Sequence, residues 1–261
     1  GRSGLAVIAN SYPELNPNGG EARPTSERGL AVRTVPHDGA SEIVLAVNIP
    51  DLIRLAEQSN GVVELVPQVG DFVATDEPLF KLYDGAGSLP DRELRSAVAF
   101  GPERTLEQDP TFAFRIIVDI ALKALSPAIN DPTTAVIATD QLHRLLRSVG
   151  RRNLRTGELP GRSGELRVVC RTPNWEDFVH LAFTEIRHCG ANNIQIARRL
   201  RAMIENLVET LPQRRHPALS QQLALLDREI DRSFIYPEDR LLAQVADSQG
   251  LGGASSLRKQ Q

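Results

Sequence analysis

FGPERTLEQDPTFAFRIIVDIALKALSPAINDPTTAV, residues 100–136, is the most apolar stretch of the chain, yet it carries the most oddly placed charges. It repeats one grammar. Asp109-Pro110-Thr111 opens one apolar run and Asp131-Pro132-Thr133 opens the next. An Asp side chain accepts from the free amides of a first helical turn. Proline suits the first helical position, where its missing N–H would be unpaired in any case. Two helices are expected, Pro110–Leu125 and Pro132–Val149, each capped by Asp. Ser126-Pro127 stops the first, because the residue before proline is pushed out of the α region. A connection this short makes the helices antiparallel neighbours.

Along the first helix Arg115, Asp119 and Lys123 fall at i, i+4 and i+8, so they stack on one face. One reading is a solvated, salt-bridged stripe. The other is a polar seam buried at a subunit contact or lining a cavity, because the rest of the helix is apolar on nearly all sides. Charges in such a seam must be paired or they cost several kcal/mol. Glu103, Arg104, Asp109, Asp119, Asn130 and Asp131 form the densest acidic and amide-rich group. Carboxylates with an Asn could hold Mg²⁺ or Ca²⁺, although Asp109 and Asp131 already have capping roles.

Residues 103–135, ERTLEQDPTFAFRIIVDIALKALSPAINDPTTA, closely resemble the signature of a bacterial family of predicted membrane proteins, domain of unknown function 2254. The resemblance extends from about Ser41 to about Ala246. It implies a group of N-terminal membrane helices followed by a soluble region, and this chain looks like the soluble region alone. The start Gly1-Arg2-Ser3, without methionine, fits a fragment. The resemblance further implies a cell-membrane protein whose partner is its own N-terminal membrane segment. This region would lie on the cytoplasmic side if the membrane helices are even in number and the N-terminus is inside. No catalytic residue comes with the resemblance.

Composition sets the outer bounds. The 261 residues allow one large domain or two small ones. A hydrophobic content of 41% with 24% charged residues is ordinary for a folded soluble protein. A net charge of −3 gives no reason to expect nucleic acid. Of 30 basic residues only Lys81, Lys123 and Lys259 are lysine, with no clustered basic patch. Cys170 and Cys189 lack the spacing of a metal framework and mildly favour a reducing compartment. No uncharged apolar run reaches the roughly 18 residues of a membrane span. Phe112–Leu125 comes nearest but is interrupted by Arg115, Asp119 and Lys123.

Outward from the centre, residues 1–39 are rich in Pro, Gly, Asn and Ser and read as a linker, with a short strand over Leu30–Val35. Residues 40–88 read as a small β-rich, sandwich-like module. It has strands over Glu42–Ile49, Val62–Val66 and Leu79–Leu82, a helix from Pro50 to Ser59, and a turn at Gly70. VELVPQVGDFVATDEPLFKL resembles the hairpins of lipoyl- and biotinyl-type domains. No lysine stands at the tip, and Lys81 falls inside the last strand, so no lipoyl or biotinyl attachment is expected. Residues 89–248 read as a mainly helical region with one or two added strands. Helices are expected over Asp91–Phe100, Thr172–His188, Asn192–Leu211, Ser220–Ser233 and Pro237–Ala246, with a strand over Glu165–Arg171 and a loop or loose hairpin over Arg151–Gly164. On the second signature helix Val136, Ile137, Leu142, Leu145 and Leu146 form the buried stripe, and Asp140 pairs with Arg144. Residues 249–261 read as a disordered tail. The fold class is α+β.

His180 and His188 lie two turns apart without a third ligand, so they do not make a metal site. Arg187, Asn192, Asn193, Gln195 and Arg198 crowd a helix start and read as ordinary caps or as an anion site. There is no GxGxxG, Walker A, HExxH or CxxC pattern and no nucleophile elbow. No cofactor is expected. The function expected is non-enzymatic: an extramembrane domain serving assembly, gating or sensing, as a homo-oligomer. The alternatives are a metal-assisted hydrolase at the cluster of residues 103–131, or the vestibule of a channel or transporter. The residues to watch are Arg104, Asp109, Arg115, Asp119, Lys123, Asn130 and Asp131.

Overall fold

The structure, a computed structural model, describes residues 2–12, 29–154 and 157–253. In chain order its elements are α1 (Arg2–Ser11), β1 (Arg33–Pro36), β2 (Glu42–Val47), α2 (Ile49–Ser59), β3 (Gly61–Leu65), β4 (Phe72–Val73), β5 (Pro78–Asp84), α3 (Asp91–Ser96), β6 (Val98–Gly101), α4 (Pro110–Leu125), α5 (Pro132–Gly150), β7 (Glu158–Pro160), β8 (Leu166–Cys170), α6 (Trp175–Gly190), α7 (Ile194–Thr210), α8 (His216–Ser233) and α9 (Pro237–Ala243). The fold is α+β. The chain divides into two compact units. A β unit takes Asn16–Phe112 and Asn153–Asn174; a helical unit takes Gly1–Leu15, Ala113–Arg152 and Trp175–Gln261.

The β unit holds a five-stranded sheet in the order β1-β5-β3-β8-β7 and a three-stranded sheet in the order β4-β2-β6. β3 pairs antiparallel with β5 and parallel with β8, which brings Val63, Leu82 and Val168 into line. All three are fully buried. Alternation along β3 sends Gly61, Val63 and Leu65 inward. The apolar face of α2, with Leu52, Leu55 and Ala56, covers them. Val44, Val73 and Val98 of the smaller sheet join the same core, so the expected sandwich-like module is present. Lys81 lies inside β5, flanked by Thr34 on β1 and Glu64 on β3.

The unit's boundaries differ from residues 40–88. β1 comes from the stretch read as linker and pairs with β5. β7 and β8, read as extras of the helical region, complete the larger sheet. The helix expected over Asp91–Phe100 ends at Ser96. Its second half is β6, whose Val98 and Phe100 pair with Val47 and Val44 of β2. One short helical turn has little stability of its own, whereas pairing with β2 gives both strands ladder partners along most of their length.

In the helical unit α4 keeps its expected limits and α5 runs one residue further, with Gly150 as its last residue rather than its stop. They are antiparallel. At one end the Asp131 amide donates to the Ala124 carbonyl at 2.8 Å. At the other, Gly4 of α1 approaches both Ala113, early in α4, and Leu145, late in α5. A Cβ at Gly4 would stand 3.0 Å from that of Ala113, so only glycine allows this approach without displacement. Arg2–Ser11 was therefore misread as linker. Gly4, Val7, Ile8 and Tyr12 are buried along one helical stripe, and the Tyr12 ring meets Phe178 of α6 edge-on at 6.1 Å. Phe114 of α4 packs on the same Phe178 at 5.1 Å. The apolar face of α6 is buried as expected, from Trp175 to Ile186. On α5 the stripe holds at Val136, Leu142, Leu145 and Leu146, but Ile137 is exposed. The α8 helix starts four residues earlier than Ser220, taking Pro217 into its first turn. The tail reading also changes. Up to Gly253 the chain is held by Arg198, whose guanidinium donates to the carbonyls of Val245, Gly252 and Gly253. Residues 254–261 lie outside the described residues.

Candidate functional site

Arg104 and Asp109 are brought together in the β unit. One oxygen of Asp109 accepts from the Phe112 amide at 3.0 Å and from the Thr111 hydroxyl, capping α4. The other, Oδ2, lies 3.7 Å from Arg104 Nη1. The residue is only 3% exposed. Gly70 makes room for it: its φ is +93°, and a Cβ there would run into the Asp109 carboxylate. Asp131 plays the matching part for α5, accepting from the Thr134 amide at 3.0 Å and its hydroxyl at 2.5 Å. The Thr134 hydroxyl and amide hold the Asp131 carboxyl below the usual carboxylate range. Asn130 sits beside it with φ +47°. Asn tolerates this left-handed conformation better than most residues, and its amide closes the inter-helix turn onto the Ser126 carbonyl.

Arg115 and Asp119 also meet, in the helical unit, and a residue that the sequence did not single out joins them. Arg115 donates through Nε to Asp119 at 2.7 Å and grips Glu185 of α6 with both terminal nitrogens, at 2.6 and 3.0 Å. The two carboxylates raise the Arg115 pKa, Glu185 first, and the guanidinium holds Glu185 below its ordinary range. Asp119 is 58% exposed. Within the single chain this is a solvated cluster that pins α4 to α6, so its own fold does not bury the seam. Lys123 is exposed and has no ion pair among the described residues. Glu185 could not be found from sequence, since only the α4–α6 packing places it opposite Arg115.

Beside the cluster, α4 leaves apolar groups in solvent. Ile116 is 36% and Ile120 48% exposed. With Asp119 and Lys123 they form one strip at i, i+3, i+4 and i+7. Ile129 in the connecting turn and Ile137 on α5 are exposed as well.

The remaining candidates are built into the scaffold. Asn193 caps α7 by accepting from the Ile196 amide at 3.3 Å, and Gln195 donates to the Gly250 carbonyl at 2.6 Å. Arg187 faces Glu229 at 3.6 Å. Asp140 pairs with Arg199 of α7 at 2.6 Å rather than with Arg144. Arg199 also donates to Nδ1 of His143 at 3.2 Å, and His143 Nε2 bonds Asn206 at 2.9 Å. His180 and His188 are exposed on α6. Among the described residues no three His, Cys, Asp or Glu side chains are grouped so as to hold a metal ion.

Residues 5–206 match the family model described as "Predicted membrane protein (DUF2254)". The chain belongs to this family. The match to DUF2254 begins inside α1 and ends inside α7, so it takes in both units and the helix misread as linker. Among the relatives are uncharacterized proteins of Mycobacterium bovis and Mycobacterium tuberculosis, each 32% identical over 251 residues. The alignment covers 91% of this chain and 47% of each relative. The chain therefore spans about half the length of the curated relatives it matches. No solved structure matches. Among the described residues no helix is long and apolar enough to cross a membrane.

Proposed function

We propose that this chain is the extramembrane part of a membrane protein, on its cytoplasmic side, and that copies assemble through α4. The family description and the greater length of the relatives support attachment to a membrane segment. One observation carries the assembly reading: α4, apolar on nearly every side, presents Ile116, Asp119, Ile120 and Lys123 as a strip left exposed among the described residues. The strip is self-complementary. In an antiparallel pairing of two α4 helices, Ile120 lies at the centre and Lys123 of each copy meets Asp119 of the other. Such a two-fold contact needs no second surface, and it would couple the state of the membrane segments to this domain, as gating or sensing requires. Light scattering on the chain at high concentration tests it. Wild type is expected to associate weakly. Ile120→Arg should remain monomeric, and so should Lys123→Glu, which sets like charges against each other without removing any ion pair among the described residues. A strictly monomeric wild type, or variants that associate as well as wild type, would sink the proposal.

A further inference from the structure

The β unit contains a cleft of about 340 Å³ that the assembly surface does not use. Its apolar walls include Val66, Pro67, Phe72 and Pro78; its cationic groups are Arg104 and Arg171. The topology explains why these meet. β3 and β8 are parallel neighbours, with Leu65 beside Cys170, so both strands leave the sheet at the same end. Val66-Pro67 and Arg171 are the first residues beyond it.

The polar groups of the cleft are unevenly spent. Asp71 and Glu77 also border it, but each carboxylate is turned to its own loop: Asp71 accepts from the Gln68 amide at 3.0 Å and Glu77 from the Ala74 amide at 2.9 Å. Arg171 is exposed and has no ion pair among the described residues. Arg104 is 42% exposed, and its 3.7 Å separation from Asp109 is too long for a hydrogen bond. Asp109 Oδ2 is correspondingly buried without a hydrogen-bond partner among the described residues. A buried carboxylate oxygen left this way is costly, and it serves as a fixed counter-charge that holds Arg104 from behind while leaving its donors to the cleft. Phe72 stands 64% exposed at the same cleft.

We propose that this cleft binds a phosphate monoester carrying an apolar group. Two guanidiniums match the fork geometry and the near-double negative charge of a phosphate monoester, and Phe72 with the two prolines offers an apolar bed for the substituent. The same chemistry could come from a soluble metabolite or from a lipid headgroup. Amide shifts of Val66, Phe72 and Val73 are followed by NMR on the whole chain during titration with inorganic phosphate and with phenyl phosphate. A parallel arm measures sedimentation with phosphatidylcholine vesicles with and without phosphatidic acid. Phenyl phosphate is expected to bind at millimolar levels, more tightly than inorganic phosphate. Arg171→Gln, which breaks no ion pair among the described residues, should weaken it roughly 10-fold or more. Arg104→Lys should weaken it too, since the ammonium keeps the charge and loses the fork. Arginine-dependent sedimentation with phosphatidic acid would assign a lipid source, and its absence beside phenyl phosphate binding a soluble one. No shift with phenyl phosphate, or shifts unchanged in Arg171→Gln, would overturn the site.

Discussion

Three aspartates of one motif region have three different fates, and burial separates them. Asp109 is enclosed and caps α4; Asp131 caps α5 from a more open position; Asp119 stands in solvent beside Arg115. Asp109→Ala removes a buried cap and is expected to cost about 0.5–2 kcal/mol, while Asp119→Ala breaks an exposed pair worth about 0.2–1 kcal/mol. Urea midpoints of the two variants check this, and an Asp119 loss equal to or above that of Asp109 would show that the pair is not solvated. His143 offers a pH test. Arg199 donates to Nδ1, so the proton of the neutral ring sits on Nε2, facing Asn206. Burial, then the charges of Arg199 and Arg147, lower its pKa, while the hydrogen bond with Asn206 and, less strongly, Asp140 oppose them. The unfolded state then takes up the proton first as pH falls. Stability contributed by the neutral ring is complete above the unfolded value of about 6.5 and is lost as pH falls toward the lower folded value. Between pH 7.5 and 5.5 the melting temperature of wild type should fall more than that of His143→Gln; parallel curves would remove the histidine from the account. Asp109 and Asp131 as caps could be read from Asp-Pro-Thr alone, because a cap is a local interaction. The Arg199–His143 bond could not, because its partners lie on different helices.

At the scale of elements, the best-read helices were those whose start and stop signals sit within a few residues of each other. The limits of α4 and α5 follow from Asp, Pro and the Ser-Pro break. The α1 helix was missed because its stripe of Gly4, Val7, Ile8 and Tyr12 is short and stands beside a long Pro/Gly-rich run, which dominated the composition of residues 1–39. The structure makes α1 part of the helical core, with Ile8 fully buried. Ile8→Ala should therefore cost about 2 kcal/mol or more, measured by denaturant unfolding of the whole chain. A linker residue would show no change. The division of Asp91–Gly101 into α3 and β6 illustrates the opposite limit. Leu94 suits a helix and Val98 a strand, and the pairing with β2 decides where one gives way to the other. On α7, Arg198, Arg199 and Arg201 are buried although arginine runs usually mark a solvated face. Each is paired with a remote group: Arg198 with carbonyls from Val245 to Gly253, Arg199 with Asp140, Arg201 with Asp227.

At the scale of the whole molecule, the strip on α4 is too small to hold two copies together in dilute solution. Specific stable interfaces bury about 1,200–2,000 Å², and two half-exposed isoleucines per copy supply only a fraction of that. The expected association of the isolated chain is accordingly weak and concentration-dependent. Confinement of the full-length protein to a membrane would raise the effective concentration. Scattered mass that rises with concentration and falls to that of the monomer in Ile120→Arg is the result this picture requires. What the sequence by itself determined is the family signature, the α+β class, both signature helices with their caps and the strands of the central β module. These are encoded by neighbouring residues through capping, proline placement and alternation. Only the tertiary structure decided the interleaved units, the recruitment of β1, β7 and β8 into one sheet, the placing of Arg104 and Arg171 on one cleft and the exposure of the α4 strip. Each of these joins groups tens of residues or more apart in the chain, and local periodicity shows which face of an element is apolar without saying what, if anything, will cover it.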